Sequence, residues 1–122
     1  MEDPRKTRVK LGRLGEDAVV RFLEKKRYRV VARGFRLFRG EIDIIAYDRK
    51  TLVFAEVKTR TGCGFGFPEE SVTTAKQDQI RKIAQGYLVK SRLGEIPCRF
   101  DVISVLIEAR GRPIIRQIKN AF

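Results

Sequence analysis

The chain has 122 residues, a net charge of +12, two cysteines and no histidine. That length suits one domain, and a hydrophobic fraction of 43% argues against global disorder. Without histidine there is no Ser-His-Asp or Cys-His hydrolase and no histidine-metal nuclease, and two cysteines cannot build a four-cysteine zinc or iron–sulfur cage. A pI near 10.3 points instead to a polyanionic partner.

The positive charge is concentrated in residues 1–40. Residues 1–11 read as a short basic arm, flexible over Met1 to Lys10, and 12–122 as a single domain. No stretch reads as a signal peptide, and no apolar run reaches the roughly 18 residues of a membrane-spanning helix. A cytoplasmic protein away from membranes, with Cys63 and Cys98 as reduced thiols, is expected.

The spacing predicts a helix over Gly12 to Arg27, with Leu11, Leu14, Ala18, Val19, Phe22 and Leu23 on its apolar half. Gly12 and Gly15 lie on that same half, where a close helix–sheet contact would account for them. Glu16 sits at its edge, and Glu24 faces solvent. Three strands are predicted next, over Tyr28–Phe35, Glu41–Tyr47 and Leu52–Lys58, as an antiparallel meander. A glycine-rich loop follows over Thr59–Ser71, then a second helix over Thr74–Ser91 with Ile80, Ile83, Ala84, Tyr87 and Leu88 as its apolar stripe. Strands over Arg99–Ile107 and Pro113–Lys119 close the chain. The order α-β-β-β-α-β-β predicts an α/β protein with one mixed sheet flanked by helices.

Strand parity isolates the chemistry. Glu41, Asp43 and Ile45 point one way on the second strand, while Ile42 and Ile44 point the other. Leu52, Phe54, Glu56 and Lys58 share a face of the third strand. A hairpin would bring Asp43 and Glu56 onto one face with Lys58 beside them. Charged residues on a strand usually form a solvated salt-bridged patch. Here they interrupt strands of Ile, Val and Phe, in a protein whose only hard ligands are carboxylates. Oxygen ligation of that kind suits Mg²⁺ or Mn²⁺.

Gly40-Glu41-Ile42-Asp43-Ile44-Ile45-Ala46 followed by Val53-Phe54-Ala55-Glu56-Val57-Lys58-Thr59-Arg60 resembles the PD-(D/E)XK motif of restriction-endonuclease-like nucleases. With Gly12, Gly15, Glu16 and Ala18, then Arg99-Phe100-Asp101-Val102 and the terminal Asn120-Ala121-Phe122, nearly the whole chain resembles the YraN family of small bacterial proteins. The resemblance implies a restriction-endonuclease-like αβββαβ core related to archaeal Holliday-junction resolvases. It implies that Asp43 and Glu56 ligate a metal through carboxylates, Val57 through its carbonyl, and that Glu16 completes the shell. Lys58 would orient or activate water and offset phosphate charge. Two positions depart from the pattern: Ile42 replaces the proline before the aspartate, and Arg33-Gly34 stands where an asparagine is expected. Resolvase-like relatives act as dimers, so a homodimer is a further expectation by analogy.

Glu16 also has a plainer reading, solvated or paired with Arg13, and Glu41 could act through water alone. Asp101 reads as a structural ion pair or cap. Arg36, Arg39, Arg60 and Lys76 are expected to meet phosphates, whereas Lys76, Arg81 and Lys82 would otherwise form a solvated helix face. The run Gly62–Pro68 lacks the ending of a P-loop and the position of a Rossmann fingerprint. Its Phe65 and Phe67 could stack on a base, pack on the body or meet a second subunit. Two functions remain open at this point: a Mg²⁺- or Mn²⁺-dependent nuclease acting on DNA or structured nucleic acid, and a non-catalytic nucleic-acid-binding module on a nuclease-like fold.

Overall fold

The computed structural model describes residues 3–61, 72–108 and 112–122. Its elements are α1 (Pro4–Lys25), β1 (Arg29–Leu37), β2 (Gly40–Asp48), β3 (Thr51–Thr61), α2 (Thr74–Lys90), β4 (Cys98–Ile107) and β5 (Ile114–Ile118). The expected α/β class and element order are observed. The glycine-rich run Gly62–Pro68, with Cys63, Phe65 and Phe67, lies outside the described residues.

The five strands form one sheet in sequence order. β1, β2 and β3 are an antiparallel meander. α2 carries the chain across to β4, which pairs with β3 in parallel, and β5 returns antiparallel to β4. α1 and α2 cover opposite faces. Val19, Leu23 and Tyr28 pack against Ile44, Ala46, Val53, Ala55, Ile103 and Val105. Ile80, Ile83 and Ala84 pack against Ile42, Ile45, Leu52 and Phe54. Because β4 is covered on both sides, its run from Val102 to Leu106 is buried throughout.

Four sequence expectations change. The first concerns residues 4–11, read as an arm. They form the opening turns of α1: the Asp3 side chain accepts from the Arg5 N–H at 2.9 Å, and Pro4 follows at the first helical position. Most of these residues are exposed, Val9 at 55%. Second, Leu14, placed on the apolar half from sequence, is also exposed, at 56%. Third, Gly15 makes the predicted close contact, where a Cβ would collide with the Thr59 side chain, but nothing lies within 4 Å of one at Gly12. Fourth, Ile42 and Ile44 do not share a face. They enter opposite core clusters, and Ile42 joins Ile45. Regular alternation fails at Asp43, where the β1–β2 register also skips the pair with Gly34, a residue with a φ of +59°.

Candidate metal centre and its basic rims

The β2–β3 ladder runs from Asp48↔Thr51 to Ile44↔Ala55 and ends. Asp43 and Glu56 are the next residues, at the point where the two strands part. β3 does not fray beyond this point, because β4 holds it in register from Leu52↔Cys98 to Thr61↔Ile107. The parting strands therefore leave Glu56, Val57, Lys58 and Arg60 on a supported strand at the mouth of a cleft. The Val57 N–H donates to Asp43 Oδ2 at 2.8 Å and fixes that carboxyl group.

The electrostatics of this end are unbalanced. Burial, then repulsion from Glu56, pushes the Asp43 carboxyl up to about 7. Burial also raises Glu56, against the opposing pull of Lys76 and Lys58, and the Asp43 carboxyl lies within hydrogen-bonding reach of it. Glu16, reaching in from α1, is raised by burial and then by Asp43. Glu41 adds repulsion to all three. Lys76 Nζ stands 4.0 Å from Glu56 Oε1, at the limit of an ion pair. Two hydrogen-bonded carboxyl groups short of positive charge suit a divalent cation. Asp43, Glu56 and the Val57 carbonyl could hold one through oxygen. Among the described residues no three acidic side chains converge as a ready-made cage, so Glu16 is near the pair but outside it.

Two openings flank the pair. One, of about 480 Å³, is lined by Glu16, Asp43, Val57, Thr59 and Arg60, with Gly12 and Leu11 at its α1 wall. The other, of about 540 Å³, is lined by Arg36, Arg39, Gly40, Glu41, Lys76 and Gln79. The four basic residues picked out from sequence thus fall on two rims, Arg60 on one and Arg36, Arg39 and Lys76 on the other. Gly40 packs closely at the second rim, where a Cβ would come within 2.7 Å of the Ile83 side chain and 2.8 Å of the Gln79 side chain and displace their ends. Gly34, flanked in the ladder by Arg33↔Ile44 and Phe35↔Ile42, lies across β2 from Asp43. Its φ of +59° is the left-handed conformation that glycine and asparagine reach most easily. That accounts for glycine near a position where asparagine was expected.

Sequence reasoning missed Ser104. It is fully buried on β4 opposite Lys58, and its hydroxyl has no hydrogen-bond partner among the described residues. A serine inside an otherwise aliphatic strand was the available signal. Asp101 is structural, as expected. It is fully buried and accepts from Arg99 Nε at 2.9 Å, Arg99 Nη2 at 3.0 Å, Gln117 Nε2 at 2.9 Å and the Asn120 N–H at 3.0 Å. Arg99 also reaches Asp48 Oδ2 and the Tyr28 hydroxyl, both at 3.0 Å. Phe122 of the terminal motif stacks on Phe100 at 5.2 Å between ring centres, and Phe100 in turn stacks on Phe54. Cys98 is a free, exposed thiol. No helix among the described residues is long and apolar enough to cross a membrane.

Comparison with known proteins identifies relatives over most of the chain. The chain is 47% identical to a UPF0102 protein of Geobacter sulfurreducens over 92% of its length and 88% of the relative's. It is 53% identical to one from Chlorobaculum tepidum, covering 92% and 91%, and 46% identical to one from Symbiobacterium thermophilum, covering 93% and 96%. Residues 15–105 match the profile described as Uncharacterised protein family UPF0102. The chain belongs to that family, the YraN family.

Proposed function

We propose that the protein is a divalent-metal-dependent nuclease that hydrolyses phosphodiester bonds in DNA. The observation that carries this reading is the Asp43–Glu56 pair, two neighbouring, partly buried acids whose proton affinities burial raises, at an open cleft between basic rims. A structural patch would place cations against both acids. Here Lys76 stands 4.0 Å from Glu56, and burial still outweighs the pull of Lys76 and Lys58 on that acid.

In this reading Asp43, Glu56 and the Val57 carbonyl would hold Mg²⁺ or Mn²⁺, with Glu16 lining the same opening as Asp43 but outside the pair. The ion, when bound, supplies a Lewis acid for the phosphoryl oxygen and lowers the pKa of water. Val57 keeps Asp43 oriented through its N–H. Lys58, on the strand face of Glu56, offsets the charge that develops on the phosphate and orients the attacking water. Arg60 on one side, with Arg36, Arg39 and Lys76 on the other, binds the backbone of the strand being cut. That contact is electrostatic and indifferent to sequence.

The test is a time course on linear, flapped, gapped and four-way DNA, and on RNA, with Mg²⁺ or Mn²⁺. Wild type should cleave at least one DNA substrate and Glu56→Gln none, while both bind. Equal traces from the two proteins would mark the activity as a contaminant. Binding by both with cleavage by neither would make the chain a binding module on a nuclease-like fold.

A further inference from the structure

β1 and β2 are joined by a two-residue turn, Phe38-Arg39, closed by the pair Leu37↔Gly40. Both turn residues are left-handed, with φ of +51° and +58°. This is the geometry of a type I′ hairpin turn, which strongly favours Asn-Gly because each residue must have positive φ. A bulky aromatic and an arginine are among the costlier occupants. Burial does not compensate, since Phe38 is 55% exposed, among the largest exposures of any apolar side chain described.

The ring is nevertheless held. Gly86 of α2 leaves room first for the Leu37 side chain and then for the ring edge, with Phe38 Cε2 3.1 Å from where a Cβ would stand. Lys82 Nζ stands 5.5 Å from the ring centre. Phe38 thus leans on α2 and keeps much of its surface in solvent. Its chain neighbours Arg39 and Gly40, with Arg36, line the basic opening that runs past Glu41. A local rule broken without gain in packing marks a site kept for another reason.

We propose that Phe38 is a stacking platform for an unpaired base, so that the substrate of the proposed site carries a single-stranded or splayed segment rather than uninterrupted duplex. Arg36, Arg39 and Lys76 take the backbone of that segment while the ring takes one base. In continuous B-form duplex the bases are stacked on one another and cannot reach an outward-facing ring beside a backbone groove. A strand end, flap or junction arm offers a free π-face, and base–aromatic stacking tolerates any base. This inference rests on the nuclease reading for the meaning of the groove, but it concerns binding and needs no turnover.

The experiment is therefore run with EDTA. Affinities for a labelled oligothymidylate and for a blunt duplex of equal length are measured with wild type, Phe38→Ala and Phe38→Leu, the last keeping an apolar seat on Gly86. Single-strand affinity should fall about tenfold in both variants, and duplex affinity should change less than twofold. The chain contains no tryptophan, so Phe38→Trp introduces a unique fluorophore. Its emission should be quenched by the oligothymidylate and not by an abasic strand of the same length. Equal losses on both nucleic acids, no loss on either, or equal quenching by the abasic strand would each overturn the platform while leaving the nuclease reading intact. Wild type binding neither nucleic acid would overturn both.

Discussion

The sheet buries acids at two ends, and they are treated in opposite ways. At one end Asp101 is fully buried with four hydrogen bonds and the Arg99 guanidinium, which also holds Asp48. That pairing lowers the proton affinity of Asp48 and raises that of Arg99, so both stay ionised. At the other end Asp43 has one main-chain N–H, a second acid as its neighbour and a pKa near 7. The chain has 27 Lys and Arg against 15 Asp and Glu, so lack of cations is not the reason. Local placement decides it: the Arg99 guanidinium lies against Asp101 and Asp48, and Asp43 has a second acid as its neighbour.

The largest expected effect separates the ends by activity. Glu56→Gln should abolish divalent-dependent cleavage almost as fully as the Asp43→Asn, Glu56→Gln double variant, because residues acting as one unit are far from additive. Lys58→Ala should keep metal binding and lose most of the rate. Gel-resolved time courses read both. A double variant far worse than either single would break the unit.

Stability should reverse the comparison. Arg99→Ala leaves Asp101 buried without its countercharge, a loss of roughly 3–5 kcal/mol in urea unfolding. Asp43→Asn removes repulsion instead and should make the metal-free protein more stable. A destabilising Asp43→Asn would mean that Asp43 is structural after all.

The ends should also respond oppositely to pH. Asp43 and Glu56 have folded pKa values above their unfolded ones, so they bind more protons when folded. Their contribution therefore falls as pH rises from about 4 to about 7. Asp48 is depressed on folding, so its contribution is present above its unfolded value and lost as pH falls through its folded one. Metal-free melting curves should show a decline between pH 5 and pH 8 that Asp43→Asn flattens. A decline unchanged in that variant would assign it to other groups.

Much of the fold was legible because its signals are periodic. The stripes of α1 and α2, the alternation of β3 and the all-aliphatic run of β4 each identify an element and its buried face. The start of α1 was legible as well, in Asp3-Pro4, but its exposed turns carry no apolar stripe to draw attention to that cap. What parity could not supply was the break at Asp43. Period-two reasoning assumes regular strands, and here the β2–β3 ladder ends at Ile44↔Ala55 while the β1–β2 register skips Gly34 and Asp43. The pairing of Asp43 with Glu56 was readable from the motif. The structural role of Asp101 was readable from Arg99-Phe100-Asp101, but Tyr28, Asp48 and Gln117 join that network from distant parts of the chain, and no local pattern encodes them.

Smaller effects sharpen the picture. Charge reversal at Arg36 and Arg39 should reduce the slope of log K against log salt by about 0.9 for each duplex phosphate that is no longer neutralised, leaving the Arg60 rim intact. An unchanged slope would move the backbone path elsewhere. Ser104→Ala should raise stability by up to ~1 kcal/mol, because it removes a buried hydroxyl that lacks a partner. A drop in stability of that size would show that the hydroxyl is bonded in solution.

The most direct test of the central claim is a thermal melt with Mg²⁺ or Mn²⁺ added at pH 8 to wild type, Asp43→Asn and Arg99→Lys. A ligand that binds only the folded state raises its melting temperature. Wild type and Arg99→Lys should gain several degrees at millimolar metal, and Asp43→Asn should gain almost nothing. Equal gains in all three, or none in wild type, would contradict a cation site at Asp43 and Glu56.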